Sequence, residues 1–229
     1  KMNSFYSKTD IDIPNQTPDQ KKFYIKRCSE FEKSHIGFDK IVFLGDSITE
    51  GGDWNTYFKT NRIKNRGISG DTTEGVLARL GELYYYKPKG VFLLIGINDI
   101  FNSDSPNRNK ITSNYVANNI QHIAESIIKQ SPITKLFVQT ILPINNQIYL
   151  DLHGSFPEHE ISLIEQIMKI NTQLKDKGVD SKYTIIDLHS HFTNNNGKLD
   201  KSFTNDGVHL NYAGYKKWSE CIIDYIMNL

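Results

Sequence analysis

The sequence predicts an α/β fold with a central parallel sheet that is covered by helices on both faces. Short apolar runs alternate along the chain with longer segments whose apolar residues recur at helical spacing. The clearest run, residues 91–95, is apolar throughout, which is typical of a strand buried on both faces. Strands that alternate with helices in this way form parallel sheets. Five such runs predict a five-stranded parallel sheet.

The totals limit the kinds of protein that this chain can be. Its 229 residues are the length of one domain, and we expect a single domain, 1–229, with an N-terminal arm and helix, 1–36, packed on it. Acidic and basic residues are interspersed and the net charge is +1, so no nucleic-acid partner is expected. No apolar run of the sequence is long enough to span a membrane. Cys28 and Cys221 do not make a disulfide framework.

The first half of the chain is predicted to begin with a polar, extended arm over residues 1–20. The elements expected after it are a helix at 21–33, a strand at 41–44, a short helix around 54–58, a weakly indicated strand at 63–66, a loop at 67–74, a helix with Val76, Leu77, Leu80 and Leu83 on its apolar face, and the strand at 91–95. Asp71 stands three residues before Glu74, a spacing typical of a helix cap with a capping box.

The second half continues the alternation of strands and helices. The elements expected there are a polar loop at 98–110, a helix at 112–130, a strand at 136–142, a long connection to about residue 157, a helix that turns Ile161, Ile164, Ile167, Met168 and Leu174 inward, a strand at 183–188, a turn at 194–197 and a last helix. Asn211 is a favourable N-cap for the last helix.

Residues able to do chemistry follow three of the predicted strands and precede the last helix. Ser47 follows the first strand, Gly70 the second and Asn98 the third, while Asp206 and His209 stand before the last helix. The functional crevice of an open parallel sheet lies outside the carboxyl ends of its strands. We therefore expect these five residues to converge on one edge of the sheet.

This set of residue types suits acyl transfer. A serine hydroxyl such as that of Ser47 attacks a carbonyl only with the help of a base, and an imidazole, as in His209, titrates near neutral pH. A carboxylate three residues earlier, Asp206, can hold the imidazole in the required tautomer. The backbone N–H groups of Ser47 and Gly70 and the side-chain amide of Asn98 are candidate donors to the oxyanion. The alternative for Ser47 is a helix cap.

Other polar residues near these positions are interpreted as structural. Asp46 is expected to hold the turn by accepting hydrogen bonds from backbone amides, Asp71 to cap a helix, and Asp99 and Ser69 to support their loops. The pair His189 and His191 has no partners at the spacing typical of zinc sites. The group of His153, Glu158 and His159 has none either, so no metal or other cofactor is expected.

Together, the four stretches resemble the signature blocks of the SGNH hydrolases, also called the GDSL esterase/lipase family. The matching residues are Gly45-Asp46-Ser47, Gly70, Gly96-Ile97-Asn98-Asp99 and Asp206-Gly207-Val208-His209. Their order and spacing agree over about residues 41–218. The segment 65–74 is most similar to the branch related to platelet-activating-factor acetylhydrolase and to bacterial lysophospholipase-like and carbohydrate-deacetylating enzymes.

The resemblance implies a flavodoxin-like three-layer α/β/α sandwich. It also implies Ser47 as nucleophile, Gly70 and Asn98 as oxyanion donors, and Asp206 with His209 as the rest of a triad. The expected activity is a serine esterase that removes a short acyl group, such as acetyl, through an acyl-enzyme.

The expected partner is a small-molecule ester, an acylated sugar or lipid, and substrate choice is expected to lie in the N-terminal arm and in residues 145–158. Alternatives are a lysophospholipase or thioesterase for longer chains, and a non-catalytic carbohydrate- or lipid-binding module. The resemblance favours an exported protein whose signal peptide has been removed, while a cytoplasmic location and the oligomeric state stay open.

Overall fold

The computed structural model describes residues 4–6, 12–179 and 181–229, and in this part of the chain five strands form one parallel sheet. The strands are β1 (Ile41–Gly45), β2 (Ile63–Gly67), β3 (Gly90–Leu94), β4 (Lys135–Gln139) and β5 (Thr184–Ile186). Their order is β2-β1-β3-β4-β5, the doubly wound order of flavodoxin-like folds. The predicted α/β fold with a parallel sheet is confirmed.

Helices cover both faces of this sheet. They are α1 (Pro18–Lys33), α2 (Ser47–Glu50), α3 (Trp54–Tyr57), α4 (Thr73–Leu77), α5 (Gly81–Tyr86), α6 (Ile97–Phe101), α7 (Ser113–Gln130), α8 (Asn146–His153), α9 (Leu163–Gly178), α10 (Leu188–Phe192) and α11 (Tyr212–Met227). In one outer layer α7 packs against α4, α5 and α9, and in the other α11 packs against α3 and α10. Among the described residues, no helix combines the length and the apolar character needed to cross a bilayer.

The core is built around aromatic rings that are in register across the sheet. Phe43 of β1, Phe92 of β3 and Phe137 of β4 are paired positions, and their rings stack at centroid distances of 5.0 and 4.5 Å. Trp54 of α3 stacks on Phe43 at 4.3 Å, and Trp218 of α11 meets Trp54 edge-on at 4.6 Å. Each such ring contributes roughly 1.5–3 kcal/mol through burial. The stack therefore joins the middle of β1, β3 and β4 to α3 and α11.

The first helix begins earlier than the predicted residue 21, at Pro18. Thr17 and Gln20 form a reciprocal capping box, and Pro18 occupies the first turn, where its missing N–H costs nothing. The predicted arm lies partly outside the described residues. A second, smaller apolar cluster joins α1 to the loop after β2; its members are Tyr6, Ile13, Tyr24, Cys28, Phe31 and Ile68.

Several predicted element boundaries and one predicted core residue were wrong. The connection expected up to residue 157 contains α8, none of whose residues is buried, and the loop expected at 98–110 begins with α6. The single helix expected after residue 74 is divided into α4 and α5. Met168 was expected inside but is 49% exposed. The last helix is confirmed, and the Asn211 side chain accepts the Gly214 amide at 3.0 Å.

Candidate active site

The predicted functional loops meet at the carboxyl ends of β1 and β3, where the strand order reverses. Such a reversal opens a crevice between two loops that leave in opposite directions. Ser47 begins α2 directly after β1, and Asn98 lies in α6 after β3. The loop that precedes α11 brings His209 into contact with Ser47, from 162 residues along the chain.

A continuous line of hydrogen bonds joins the serine, the histidine and the aspartate. The distance from Ser47 Oγ to His209 Nε2 is 3.0 Å, and that from His209 Nδ1 to Asp206 Oδ2 is 2.7 Å. Ser47 is half-buried, while the His209 side chain is 51% exposed. A substrate can therefore reach both groups, and the imidazole lies between hydroxyl and carboxylate as a general base requires.

The carboxylate of Asp206 is held in its ionised form. Burial alone would raise its pKa, but the His209 side chain and the amides of Val208 and His209 donate hydrogen bonds to it, and the pKa lies below its usual value. The two amides lie 2.9 and 2.7 Å from Oδ1. A charged acceptor at Nδ1 keeps the proton on that nitrogen, so Nε2 is free to accept from the serine.

The turn that carries Asp206 and His209 depends on Thr204, which the sequence analysis did not name, and on Gly207, which belongs to the fourth signature block but was given no role there. Thr204 Oγ1 accepts the Gly207 amide at 2.9 Å and donates to the His209 carbonyl at 2.7 Å. Gly207 has φ +85°, and a Cβ there would lie 2.3 Å from the carbonyl oxygen of Asn145. The Gly207 carbonyl in turn accepts the Asn145 amide at 2.7 Å. Threonine two residues before the aspartate and glycine directly after it were the available signals.

Asp46 supports the turn on which Ser47 stands, as predicted. Its Oδ1 accepts the Ile48 amide at 3.0 Å, which makes it the N-cap of α2. Burial raises the pKa of Asp46 to about 7, and the neighbouring Asp71 and Asp99 add to the rise. Tyr215 of α11 donates to the Ile48 carbonyl at 2.8 Å, so α11 also holds the nucleophile turn.

Two of the three candidate oxyanion donors, Gly70 and Asn98, lie on loops that contact each other. Gly70 has φ +78°, a left-handed conformation that favours glycine, and a Cβ there would lie 3.3 Å from Gln20 of α1. The Asn98 side-chain amide donates one hydrogen bond to the Asp71 carbonyl, at 3.0 Å. That bond orients the amide group and leaves its second N–H for a ligand.

The predicted helix cap at Asp71 was wrong. Thr72 caps α4 by accepting the Gly75 amide, while the buried Asp71 pairs with Arg79. Arg79 Nε and Nη2 lie 2.9 and 2.8 Å from Asp71 Oδ2, and Nη2 also donates to the Gly45 carbonyl at 3.0 Å. A buried cation needs a carboxylate partner, so the ion pair takes precedence over a cap that threonine fills equally well.

Asp99 has a structural place beside Asn98, in agreement with the prediction. Its two oxygens accept the amide and the hydroxyl of Thr73, at 3.0 and 2.6 Å, and so join α6 to the start of α4. Burial raises the pKa of Asp99 to about 7, although the Thr73 hydrogen bonds oppose the rise. Asp99, the residue after Asn98, is thereby held against the first residue of α4.

The described residues contain no group of three or more His, Cys, Asp or Glu side chains placed to hold a metal ion. The two histidine groups considered in the sequence serve other contacts. His189 Nδ1 lies 3.0 Å from the Ile141 carbonyl, and His159 Nε2 lies 3.0 Å from the Phe101 carbonyl. Burial lowers the pKa of both imidazoles.

A small apolar cavity lies beside the site. Its volume of about 10 Å³ has room for about one water-sized group. Three of its lining residues are chain neighbours of site residues: Ile48 follows Ser47, Ile97 precedes Asn98, and Val208 precedes His209. The cavity therefore lies in the core beneath the site, and none of Ser47, Gly70, Asn98 and His209 lines it.

The segment predicted to govern substrate choice forms an aromatic cluster next to the site loops. Tyr149 and Phe156 contact Phe101, the last residue of α6, at ring-centroid distances of 5.2 and 5.9 Å. Asn145, just before α8, is bonded to Gly207 in the histidine loop. The segment therefore packs between the loop of Asn98 and the loop of His209.

Comparison with known proteins places the whole region in one family. The sequence profile of the GDSL-like lipase/acylhydrolase family matches residues 43–217. This range contains all five residues that the sequence analysis assigned to the site, and it begins after α1.

Individual relatives agree with the family match. Subunit alpha2 of platelet-activating factor acetylhydrolase IB from Homo sapiens is 29% identical over 196 residues, which cover 82% of this chain and 76% of that protein. Subunit alpha1 from Rattus norvegicus is 25% identical over 77% of this chain and 70% of its own. A GDSL-like lipase from Bacteroides thetaiotaomicron superposes with a TM-score of 0.70 at 25% identity, over 90% of this chain and 97% of its own.

Proposed function

This chain belongs to the GDSL-like lipase/acylhydrolase family and is a carboxylic ester hydrolase, and we propose that it is a serine esterase with Ser47 as its nucleophile. The observation that carries the proposal is the line of hydrogen bonds from Ser47 through His209 to Asp206. A serine that only capped a helix would not need an imidazole 3.0 Å from its hydroxyl. We further propose that residues 1–229 act as a single domain, because the second apolar cluster joins α1 to a site loop.

In the proposed mechanism, Ser47 Oγ attacks the ester carbonyl while His209 Nε2 takes the hydroxyl proton. Asp206 keeps the other imidazole proton on Nδ1 and stabilises the imidazolium. The tetrahedral intermediate collapses as Nε2 returns the proton to the departing alcohol, which leaves an acyl group on Ser47. A water molecule, deprotonated by the same imidazole, then attacks the acyl-enzyme and releases the acid. These steps require no cofactor.

The oxyanion that forms in each half-reaction needs fixed donors. The backbone N–H groups of Ser47 and Gly70 and the Asn98 side-chain amide are proposed for that role. Support comes from the Asn98 amide, which is anchored by the Asp71 carbonyl and so needs little reorganisation as charge develops. The left-handed backbone of Gly70 supports it further, since no side chain blocks the approach of an oxygen.

The preferred acyl group is proposed to be short, with acetyl as the leading candidate. In support, the cavity lined by Ile48, Ile97 and Val208, the chain neighbours of Ser47, Asn98 and His209, has room for about one water-sized group, which suits a methyl better than a long chain. The relatives named as acetylhydrolases remove an acetyl group by name, in line with this size. The alcohol half of the ester, from an acylated sugar or lipid, would lie toward the aromatic cluster of Phe101, Tyr149 and Phe156.

A series of p-nitrophenyl esters, from acetate to palmitate, tests both parts of this proposal. We expect kcat/KM to be highest for acetate and to fall as the chain lengthens, and Ser47→Ala to lose about 10⁶ in kcat. Undiminished turnover by Ser47→Ala would rule out the nucleophile. A maximum at long chains would instead favour a lysophospholipase or thioesterase, and an inert wild-type protein that fails to react with a fluorophosphonate would favour a binding module.

A further inference from the structure

Ser69, which precedes the candidate oxyanion donor Gly70, is hydrogen-bonded to α2, the helix that begins with Ser47. Glu50 is the last residue of α2, and Ser47 is the first. Glu50 Oε2 accepts the Ser69 amide at 2.7 Å and the Ser69 hydroxyl at 2.6 Å. Two donors of one residue therefore converge on a single carboxylate oxygen, directly before Gly70.

Asp71, which follows Gly70, is connected through Arg79 to the strand end that precedes Ser47. Asp71 pairs with Arg79, whose guanidinium also donates to the carbonyl of Gly45, two residues before Ser47. Gly70 thus lies between Ser69, which is held by Glu50, and Asp71, which is held by Arg79, and both of these partners contact the chain next to Ser47. Of the two partners, Glu50 is partly exposed, with 22% of its side chain accessible, whereas Arg79 is buried.

The carboxylate of Glu50 has a cationic partner from outside the region matched by the family profile. Arg27 of α1 lies 3.1 Å from Glu50 Oε1, the oxygen that Ser69 does not use. Arg27 also pairs with Glu30 one turn further along α1. The cation compensates the charge that the half-buried carboxylate brings to the loop, and it brings α1 to the back of the oxyanion loop.

We propose that Glu50 is a positioning residue of the oxyanion hole. By binding both donors of Ser69, it sets the distance between the Gly70 amide and Ser47, and Arg27 holds its carboxylate in place. This inference rests on the proposed role of Gly70 as an oxyanion donor. The Glu50 side chain accepts its hydrogen bonds from Ser69, so we expect it to act through the loop.

Three substitutions separate this role from a general structural or electrostatic one. Removing an oxyanion donor outright lowers kcat by a factor on the order of 10²–10³, so displacing a donor should cost less. We therefore expect Glu50→Ala to lower kcat for p-nitrophenyl acetate by about 10- to 50-fold and to leave KM within about 2-fold of the wild-type value. Glu50→Gln keeps an acceptor for the Ser69 amide and should stay within about 5-fold of wild type. Glu50→Asp keeps the charge but withdraws it from Ser69, and should lose as much as Glu50→Ala.

The matched control is Glu30→Ala, which removes the other carboxylate partner of Arg27 without touching the loop, and it should leave kcat unchanged. Thermal melts monitor folding, and the Gln and Asp variants decide the question if the Ala variant does not fold. A kcat of Glu50→Ala within 2-fold of wild type overturns the proposal, and so does an Asp variant that outperforms the Gln variant. Ser47→Ala, assayed in parallel, shows separately whether the esterase mechanism holds.

Discussion

Asp206 binds His209 twice, with one carboxylate oxygen on the imidazole and the other on the backbone amide of the same residue. Both distances are 2.7 Å. The side chain and the main chain of the histidine are therefore oriented by a single group, on a turn of four residues. In this arrangement the imidazole cannot rotate away from Ser47 without losing a charged hydrogen bond, which is worth about 1.5–3 kcal/mol.

The first prediction concerns the charge of that aspartate. Asp206→Asn preserves the shape of the turn but offers the imidazole a neutral partner, so the required tautomer and the imidazolium both lose support, and kcat should fall by about 10³- to 10⁴-fold. Steady-state hydrolysis of p-nitrophenyl acetate measures the loss. Asp200→Asn, a change at a half-buried acid in the same connection, keeps an acceptor for the Ser202 amide, serves as the control and should retain full activity. A loss of less than tenfold in Asp206→Asn would remove Asp206 from the proposed triad.

The second prediction is the shape of the acid limb of the pH profile. The pKa of Asp206 lies below its usual value, so this carboxylate stays ionised and takes up no proton in the acid limb, and log(kcat/KM) should fall with a slope no steeper than one as the pH is lowered. The stability that Asp206 adds is present above its unfolded pKa of about 3.9, and it is lost as the pH falls through the lower folded value. A slope of two between pH 7 and 5 would contradict this prediction.

The third prediction concerns the Asn98 amide. Asn98→Ala removes one candidate donor and should lower kcat by about 10²- to 10³-fold while KM changes little, because the donor acts mainly on the transition state. A trifluoromethyl ketone that forms a tetrahedral adduct should lose affinity in parallel. The exposed Asn196→Ala provides a matched control. Unchanged kcat in Asn98→Ala would exclude this side chain from the oxyanion hole.

The fourth prediction concerns Gly207. In Gly207→Ala the new Cβ would meet the Asn145 carbonyl oxygen at 2.3 Å, in a backbone conformation with φ +85°, and we expect a loss of about 2–4 kcal/mol in the free energy of unfolding. Gly197→Ala isolates the conformational part, because φ there is +73° but no atom lies within 4 Å. Chemical denaturation of both variants gives the comparison. If Gly207→Ala and Gly197→Ala lowered the free energy of unfolding equally, the contact with Asn145 would contribute nothing to the loss.

The fifth prediction concerns the buried Asp46. Burial raises its pKa to about 7, so between pH 4 and 7 the native state binds a proton that the unfolded state has released, and stability falls as the pH rises through this range. Asp46→Asn keeps an acceptor for the Ile48 amide but cannot ionise, so the share of this loss that Asp46 causes should disappear while that of Asp99 remains, and the variant should gain up to a few kcal/mol relative to wild type at pH 8. Urea denaturation at pH 4 and pH 8 measures the difference. Asp39→Asn, at a fully exposed acid, should not change the pH dependence in this way.

The fold followed from local patterns in the chain. The apolar runs at 41–44 and 91–95 predicted strands that the structure contains within one residue, because a strand covered on both faces must be apolar throughout. Alternation with helices then implied a parallel sheet, and the parallel sheet implied that the loops of Ser47 and Asn98 leave the same edge. The helix at 146–153 was missed, although it carries Ile148, Tyr149, Leu150 and Leu152, and none of its residues is buried in the structure.

Local patterns in the chain were therefore enough to predict the parallel sheet, most of the strands and helices along the chain, and the four loops in which the candidate site lies. The pairing of the polar groups became evident only in the folded chain: Asp71 pairs with Arg79 rather than with the end of α4, and Glu50 pairs with Ser69. Local signals such as caps depend on neighbours a few residues away, and several residues satisfy them equally well. A buried ion pair or a carboxylate shared by two loops depends on packing across the fold, which no short stretch of sequence specifies.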